Sequence, residues 1–157
     1  MKYPCFVIHR QQDVEREPLV DDLKKVIPHL QVIEPINGMD LIDLPRQHPG
    51  ELKQSSLAVM SLCMTHCIIM KHAIQNNYEK ICIFEDDAVI EGNIDFFIQS
   101  RTRPWDILYL GVIQVIKGKL IDFEEFEHWG CYEVQESWGT HAMILNQKAM
   151  KAIRDCH

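Results

Sequence analysis

Residues 81–90 read ICIFEDDAVI, a short apolar run that ends in three consecutive carboxylates, Glu85, Asp86 and Asp87. Ile81, Ile83 and Phe84 are β-branched or aromatic, the composition of a buried strand near the centre of a sheet. An extended strand alternates faces. Glu85 and Asp87 are therefore expected on one side, about 7 Å apart, with Asp86 on the other. Like charges about 4 Å apart repel by about 4 kcal/mol at moderate effective dielectric unless a cation or a proton intervenes. An acidic cluster that closes a buried strand is thus either a solvated turn or a seat for a hard divalent ion, and spacing alone leaves both open.

The flanking segments place this strand in an alternating chain. Tyr3 to Ile8 reads as a first strand. Pro18 suits the first position of a helix in which Leu19, Val20, Leu23, Val26 and Ile27 recur with helical spacing, and Pro28 stops it. Val32 and Ile33 begin a second strand that runs into the turn Asn37-Gly38. Met39 to Gly50, with Pro45 and Pro49, reads as a loop. Ser55 or Ser56 caps a long helix to about Asn76, apolar almost all round and so expected to be central. Ile94, Phe96, Phe97 and Ile98 predict a short helix. Asp106 to Leu110 reads as a strand closed by Gly111, and Val112 to Ile121 as a hairpin about Lys117-Gly118. Trp138 to Leu145 is a last strand, and Asn146 caps a helix from Gln147 to about Arg154. Strands alternating with helices imply an α/β layered domain, a mostly parallel central sheet flanked by helices.

At 157 residues the chain fits a single domain over 1–157 with a substantial core. Its net charge of −7, from 23 acids against 16 Lys and Arg, leaves no basic footprint for nucleic acid or an anionic membrane. A nucleotide would have to be held by a few placed groups and a metal. None of the six cysteines forms a C-x-x-C pair, which suits reduced thiols in a cytosol-like compartment. Cys63, His66 and Cys67 read as small core fillers ahead of a zinc site. The N-terminus is too quickly charged for a signal peptide, and the apolar run Leu57 to Met70, broken by Ser61, Thr65 and His66, falls short of a membrane span. The expectation is a cytoplasmic protein without a transmembrane segment.

Taken in order, six pieces resemble the lipopolysaccharide-type family 25 of glycosyltransferases. They are FVIHR (6–10) with a turn arginine at Arg16, INGMD (36–40), Thr65-His66, IFEDDAVI (83–90), WDILYLG (105–111) and SWGTHAMILNQKAMKAI (137–153). The resemblance spans nearly the whole chain. It departs where the family's usual asparagine and leucine after the first strand are His9 and Arg10, and where Ser61 and Leu62 precede the Thr-His pair. Family members also continue further beyond the last helix, so the resemblance implies a C-terminally short form.

What the resemblance implies is a GT-A-like, Rossmann-like fold and a metal-dependent hexosyltransferase. The donor would be a nucleotide-diphosphate sugar, a UDP-sugar foremost, and the acceptor a glycan or lipid-linked saccharide. The cofactor would be Mn2+ or Mg2+, hard ions suited to oxygen ligands, which stabilise the leaving diphosphate. Asp87 and Glu85 are then the metal residues. Arg16, Asn37, Gly38, Glu85, Asp86, Thr140 and His141 are the donor-binding candidates. Inverting transfer also needs a carboxylate base, and Glu136 is the candidate with Glu133 beside it. Residue by residue the plainer readings stand next to these: a solvated arginine, an ordinary tight turn, a satisfied core histidine at His66. As a whole, the alternatives are a non-catalytic nucleotide-sugar or partner-binding module and a phospho-acceptor domain of the receiver type.

Overall fold

A computed structural model of the protein describes residues 3–41, 54–92, 95, 104–122 and 131–155. In chain order the elements are β1 (Cys5–Ile8), α1 (Glu17–Val26), β2 (Gln31–Ile33), α2 (Gln54–Gln75), β3 (Lys80–Glu85), β4 (Ile107–Asp122), β5 (Cys131–Asn146) and α3 (Gln147–Asp155). All but one residue of the helix expected around Ile94–Ile98, and most of the loop expected over Met39–Gly50, lie outside the described residues.

The strands form one sheet in the order β2-β1-β3-β5-β4. β1 pairs in parallel with both β2 and β3, whereas β5 pairs antiparallel with both β3 and β4. The expected mostly parallel sheet is therefore not confirmed, because the pairings divide evenly between the two kinds. The cause is β5, which runs against all four of its companions.

The pleat sorts the apolar residues into two cores. Cys5, Val7, Cys82, Phe84, Ala142 and Ile144 face α1 and pack with its Val20 and Leu23. Phe6, Ile8, Ile81, Ile83, Met143 and Leu145 face the other way, against Ile69, Met70 and Ala73 of α2 and Ala149 and Met150 of α3. Every interior residue of β3 is buried, as a strand covered on both faces requires.

Two sequence expectations are corrected. Residues 107–122 form one strand, not a strand closed by Gly111 followed by a hairpin. The ladder to β5 passes through register irregularities on both sides of Gly111 and again around Lys117, so these positions bend the strand without ending it. α2 is also not buried all round. Val59, Cys63, Met64 and Ile68 lie on its exposed side, since a single sheet face can cover only one stripe of a helix. The stretch Leu57–Gln75 is long and apolar enough to cross a membrane by length and composition, longer than the run ending at Met70, and 28% of it is buried.

α2 is tied down by its polar residues. Ser61 Oγ donates to the Ile36 carbonyl. Thr65 Oγ1 accepts from the Ile36 N–H at 3.0 Å and donates to the Ser61 carbonyl at 2.7 Å. Both backbone groups of Ile36 are thus taken by the helix, bringing the next turn so close that a Cβ on Gly38 would sit 3.2 Å from the Leu57 carbonyl oxygen. The helix ends as its Asn76-Asn77 signal predicts, with Asn77 in the left-handed region at φ 56°.

His66 is buried on the same helix, and its Nδ1–H donates to the Leu62 carbonyl at 2.8 Å, leaving Nε2 buried without a partner. Burial pushes its pKa below the ordinary 6.5. The unfolded chain therefore binds a proton near pH 6 that the folded chain refuses, and stability should fall as pH drops through 6.5. Chemical denaturation at pH 7.5 and pH 5.5 should show this loss in the wild type, with a smaller loss in His66→Phe.

Candidate functional site

The carboxyl ends of β1 and β3 lie side by side, Ile8 opposite Glu85. β5 runs past β3 the other way, pairing Ala142 with Phe84, so His141 comes level with the end of β3. Three elements distant in sequence therefore deliver side chains to one edge. Beyond it, among the described residues, the rest of β5 pairs with β4 alone, as a two-stranded ribbon.

The acidic triplet divides at this edge. β3 stops at Glu85, and the Ala88 N–H closes a turn onto the Glu85 carbonyl at 3.1 Å. Asp86 turns to the α1 side, where His9 Nδ1 is 2.9 Å from its Oδ2. A carboxylate only accepts, so the imidazole donates. Glu85 and Asp87 instead group with His141: one ligand atom from each of the three residues lies within 4.8 Å of the others. No second group of this kind occurs among the described residues, so Cys63, His66 and Cys67 do not assemble a zinc site. The split of the triplet follows the alternation expected from sequence, although Asp86 and Asp87 belong to a turn and not to an extended strand.

Asp87 meets two cationic or donor groups. His141 Nδ1 donates to its Oδ1 at 3.0 Å and lies 4.0 Å from Glu85 Oε2. Arg16 Nη1 stands 3.5 Å from Asp87 Oδ2. Burial pushes the Asp87 pKa up, but the His141 hydrogen bond and the charges of His141 and Arg16 outweigh it and hold the carboxyl below its ordinary 3.8. Arg16 is set in place by the loop after β1. Arg10 forks onto Asp13, with Nη2 2.6 Å from Oδ1, and the Asp13 carbonyl accepts the Arg16 N–H at 2.8 Å.

The other sequence candidates fall elsewhere. Asn37 and Gly38 form the turn pressed against α2, and Asn37 Oδ1 accepts the Met39 N–H at 3.1 Å. That local bond and the close approach of the helix account for both residue types. Thr140 precedes His141 on β5, and Glu136 pairs with Ile116 in the ribbon; the side chains of both lie outside the described residues. Five residues of strand put the Glu136 backbone about 17 Å along β5 from His141.

Two features escaped the sequence. The sequence offers His141 as a substrate contact and not as a metal ligand, yet it stands beside both carboxylates. His9 figured only as a departure from a family pattern, yet it is the partner of Asp86. Strand parity could have placed His9 on the face opposite Ile8, but nothing local shows that β1 neighbours β3. His9 also borders a cleft of about 310 Å³ between α1 and β2, with Gln11, Glu17, Val20, Asp21, Lys24 and Val32 as its other walls.

Two carboxylate oxygens and an imidazole nitrogen make a donor set that suits Mn2+ better than Mg2+, which is less at home with nitrogen. Metal–ligand bonds of about 2.1 Å place any two ligands at most about 4.2 Å apart, so a small contraction of the cluster would close it on an ion. Ligation through Nδ1 would require the His141 proton to move to Nε2.

No family model and no curated protein matches the chain. Among solved structures, the chain is distantly similar to one described as the crystal structure of a glycosyltransferase involved in the glycosylation of the major capsid of PBCV-1. The TM-score is 0.48 and the sequence identity 11%, over 97% of this chain. The chain spans 63% of the length of that protein. At this distance the likeness does not speak to substrate or mechanism.

The contacts of Asp87 fix a measurable consequence. In a carboxyl-carbon NMR titration Asp87 should ionise below pH 3.8, the ordinary value, in the wild type. In His141→Ala, which removes the hydrogen bond and leaves burial in place, its midpoint should move up. An unchanged midpoint would mean that the 3.0 Å contact does not form in solution.

Proposed function

We propose that the protein is a metal-dependent glycosyltransferase, moving a hexose from a nucleoside-diphosphate sugar, uridine diphosphate first among the carriers, to a hydroxyl of a glycan or lipid-linked saccharide. The observation that carries the reading is the convergence of Glu85, Asp87 and His141 ligand atoms within 4.8 Å at the carboxyl edge of β3. Arg16 beside them, 3.5 Å from Asp87, is the group that would meet a phosphate. The sequence resemblance supplies the reaction type.

When the sugar leaves its carrier, negative charge grows on the diphosphate, and that charge must be stabilised where it develops. A bound Mn2+ or Mg2+ supplies a Lewis acid for the two phosphates. Glu85, Asp87 and His141 are the residues that would hold the ion. Arg16, 3.5 Å from Asp87, would pair with a phosphate oxygen through its planar fork. Inverting transfer, as the resemblance implies, adds a carboxylate that deprotonates the acceptor hydroxyl, the role proposed for Glu136 on the ribbon.

Titration calorimetry of uridine diphosphate, with and without MnCl2, tests this reading. The wild type should bind the nucleotide only with the metal, and Asp87→Ala should weaken that binding about 100-fold or more. Absence of binding by the wild type, or equal binding by the variant, removes the basis of the proposal. Metal-dependent binding without donor hydrolysis or transfer would instead favour the non-catalytic binding module.

A further inference from the structure

The His9–Asp86 pair has no part in the chemistry just described, yet it is among the best-defined polar contacts of the site. His9 is 5% exposed. Its backbone N–H donates to the Ile33 carbonyl at 3.0 Å, fixing the residue to β2. Its ring contacts Asp86 at 2.9 Å across 77 residues of sequence, from the face of β1 opposite Ile8. We infer that His9 is a positioning residue: it holds Asp86 on the α1 side, so that Glu85 and Asp87, without the middle carboxylate, present themselves to the cation with His141.

Asp86 shares its two peptide bonds with Glu85 and Asp87, inside a turn closed by the Ala88 N–H on the Glu85 carbonyl. Any rotation that freed Asp86 would alter the backbone dihedrals that aim Asp87. Its side chain is only 21% exposed, so loss of the His9 donor would leave a largely desolvated carboxylate without that partner. It could regain solvation only by swinging outward with the turn, or by crowding the two carboxylates already gathered at His141. Either movement spoils a three-ligand seat whose atoms must come within about 4.2 Å of one another. His9 thus acts on the metal through Asp86 and the turn, without touching it.

This inference rests on the metal reading, and isosteres give it a sharp test. The amide nitrogen of asparagine occupies the place of imidazole Nδ1, and that of glutamine the place of Nε2. Mn2+ alone, titrated by calorimetry or by the electron paramagnetic resonance of free ion, is the probe for the wild type, His9→Asn, His9→Gln and His9→Leu, with melting temperatures measured in parallel. His9→Asn should keep Mn2+ affinity within about threefold, while His9→Gln and His9→Leu lose about 10- to 100-fold, the usual consequence of removing an outer-shell partner. A merely structural imidazole predicts instead that all three lose stability while Mn2+ affinity follows no donor position. Wild-type affinity in His9→Gln or His9→Leu overturns the inference, as does a loss in His9→Asn equal to that in His9→Leu. If His9→Leu does not fold, the comparison of Asn with Gln decides. No Mn2+ uptake by the wild type would overturn the metal reading itself, a different result from uptake indifferent to His9.

Discussion

Three adjacent carboxylates at the end of a buried strand repel one another, and the arrangement around β3 follows from how that repulsion is relieved. The chain separates them. Asp86 goes to one face of the sheet and meets His9, while Glu85 and Asp87 stay at the other and meet His141, with Arg16 reaching Asp87 over the edge. Asp86 and Asp87 each meet a donor from another element, and Glu85 lies 4.0 Å from the same His141 that serves Asp87. The separation depends on β3 having a covered neighbour on each side, because a strand at the rim of the sheet could receive partners from one side alone.

The direction of those neighbours matters as much as their presence. β1 runs parallel to β3 and delivers its own carboxyl end, with His9 and then the loop that carries Arg16. β5 runs the opposite way, so the same edge receives a residue from within that strand, His141, next to Ala142, which pairs with Phe84 on one side and Gly111 on the other. One partner of the triplet thus sits on a loop and another on a rigid strand. A cation seat built from such parts would draw one ligand from a strand end, Glu85, one from the turn after it, Asp87, and one from within β5, His141, so the conformation of the turn, and the contact that pins Asp86, bear on it directly.

Much of the framework was legible in the residues. The burial of β3, the helix opened by Pro18, the Asn146 cap of α3 and the left-handed stop at Asn77 all follow from local rules. The errors have local causes too. Gly111 and Lys117-Gly118 look like turn signals, but within a long antiparallel ladder the same residues are absorbed as register irregularities. The apolar composition of α2 suggested burial on all sides, yet composition does not say how many layers are available to cover a helix. At the site, the carboxylates could be read directly, and Asn37-Gly38 could be read as a turn without any sign that α2 would press against it.

By itself the sequence determined where the negative charge lies and that neighbouring carboxylates must part, because residue order and the two-residue repeat of a strand are local properties. Tertiary structure alone decided which groups receive them. His9 and His141 lie 77 and 54 residues from their partners, and strand order, which brings them within 3.0 Å, is set by packing over the whole sheet. No stretch of chain carries that information, since a histidine at a strand end reads the same whether its neighbour is an acid or water.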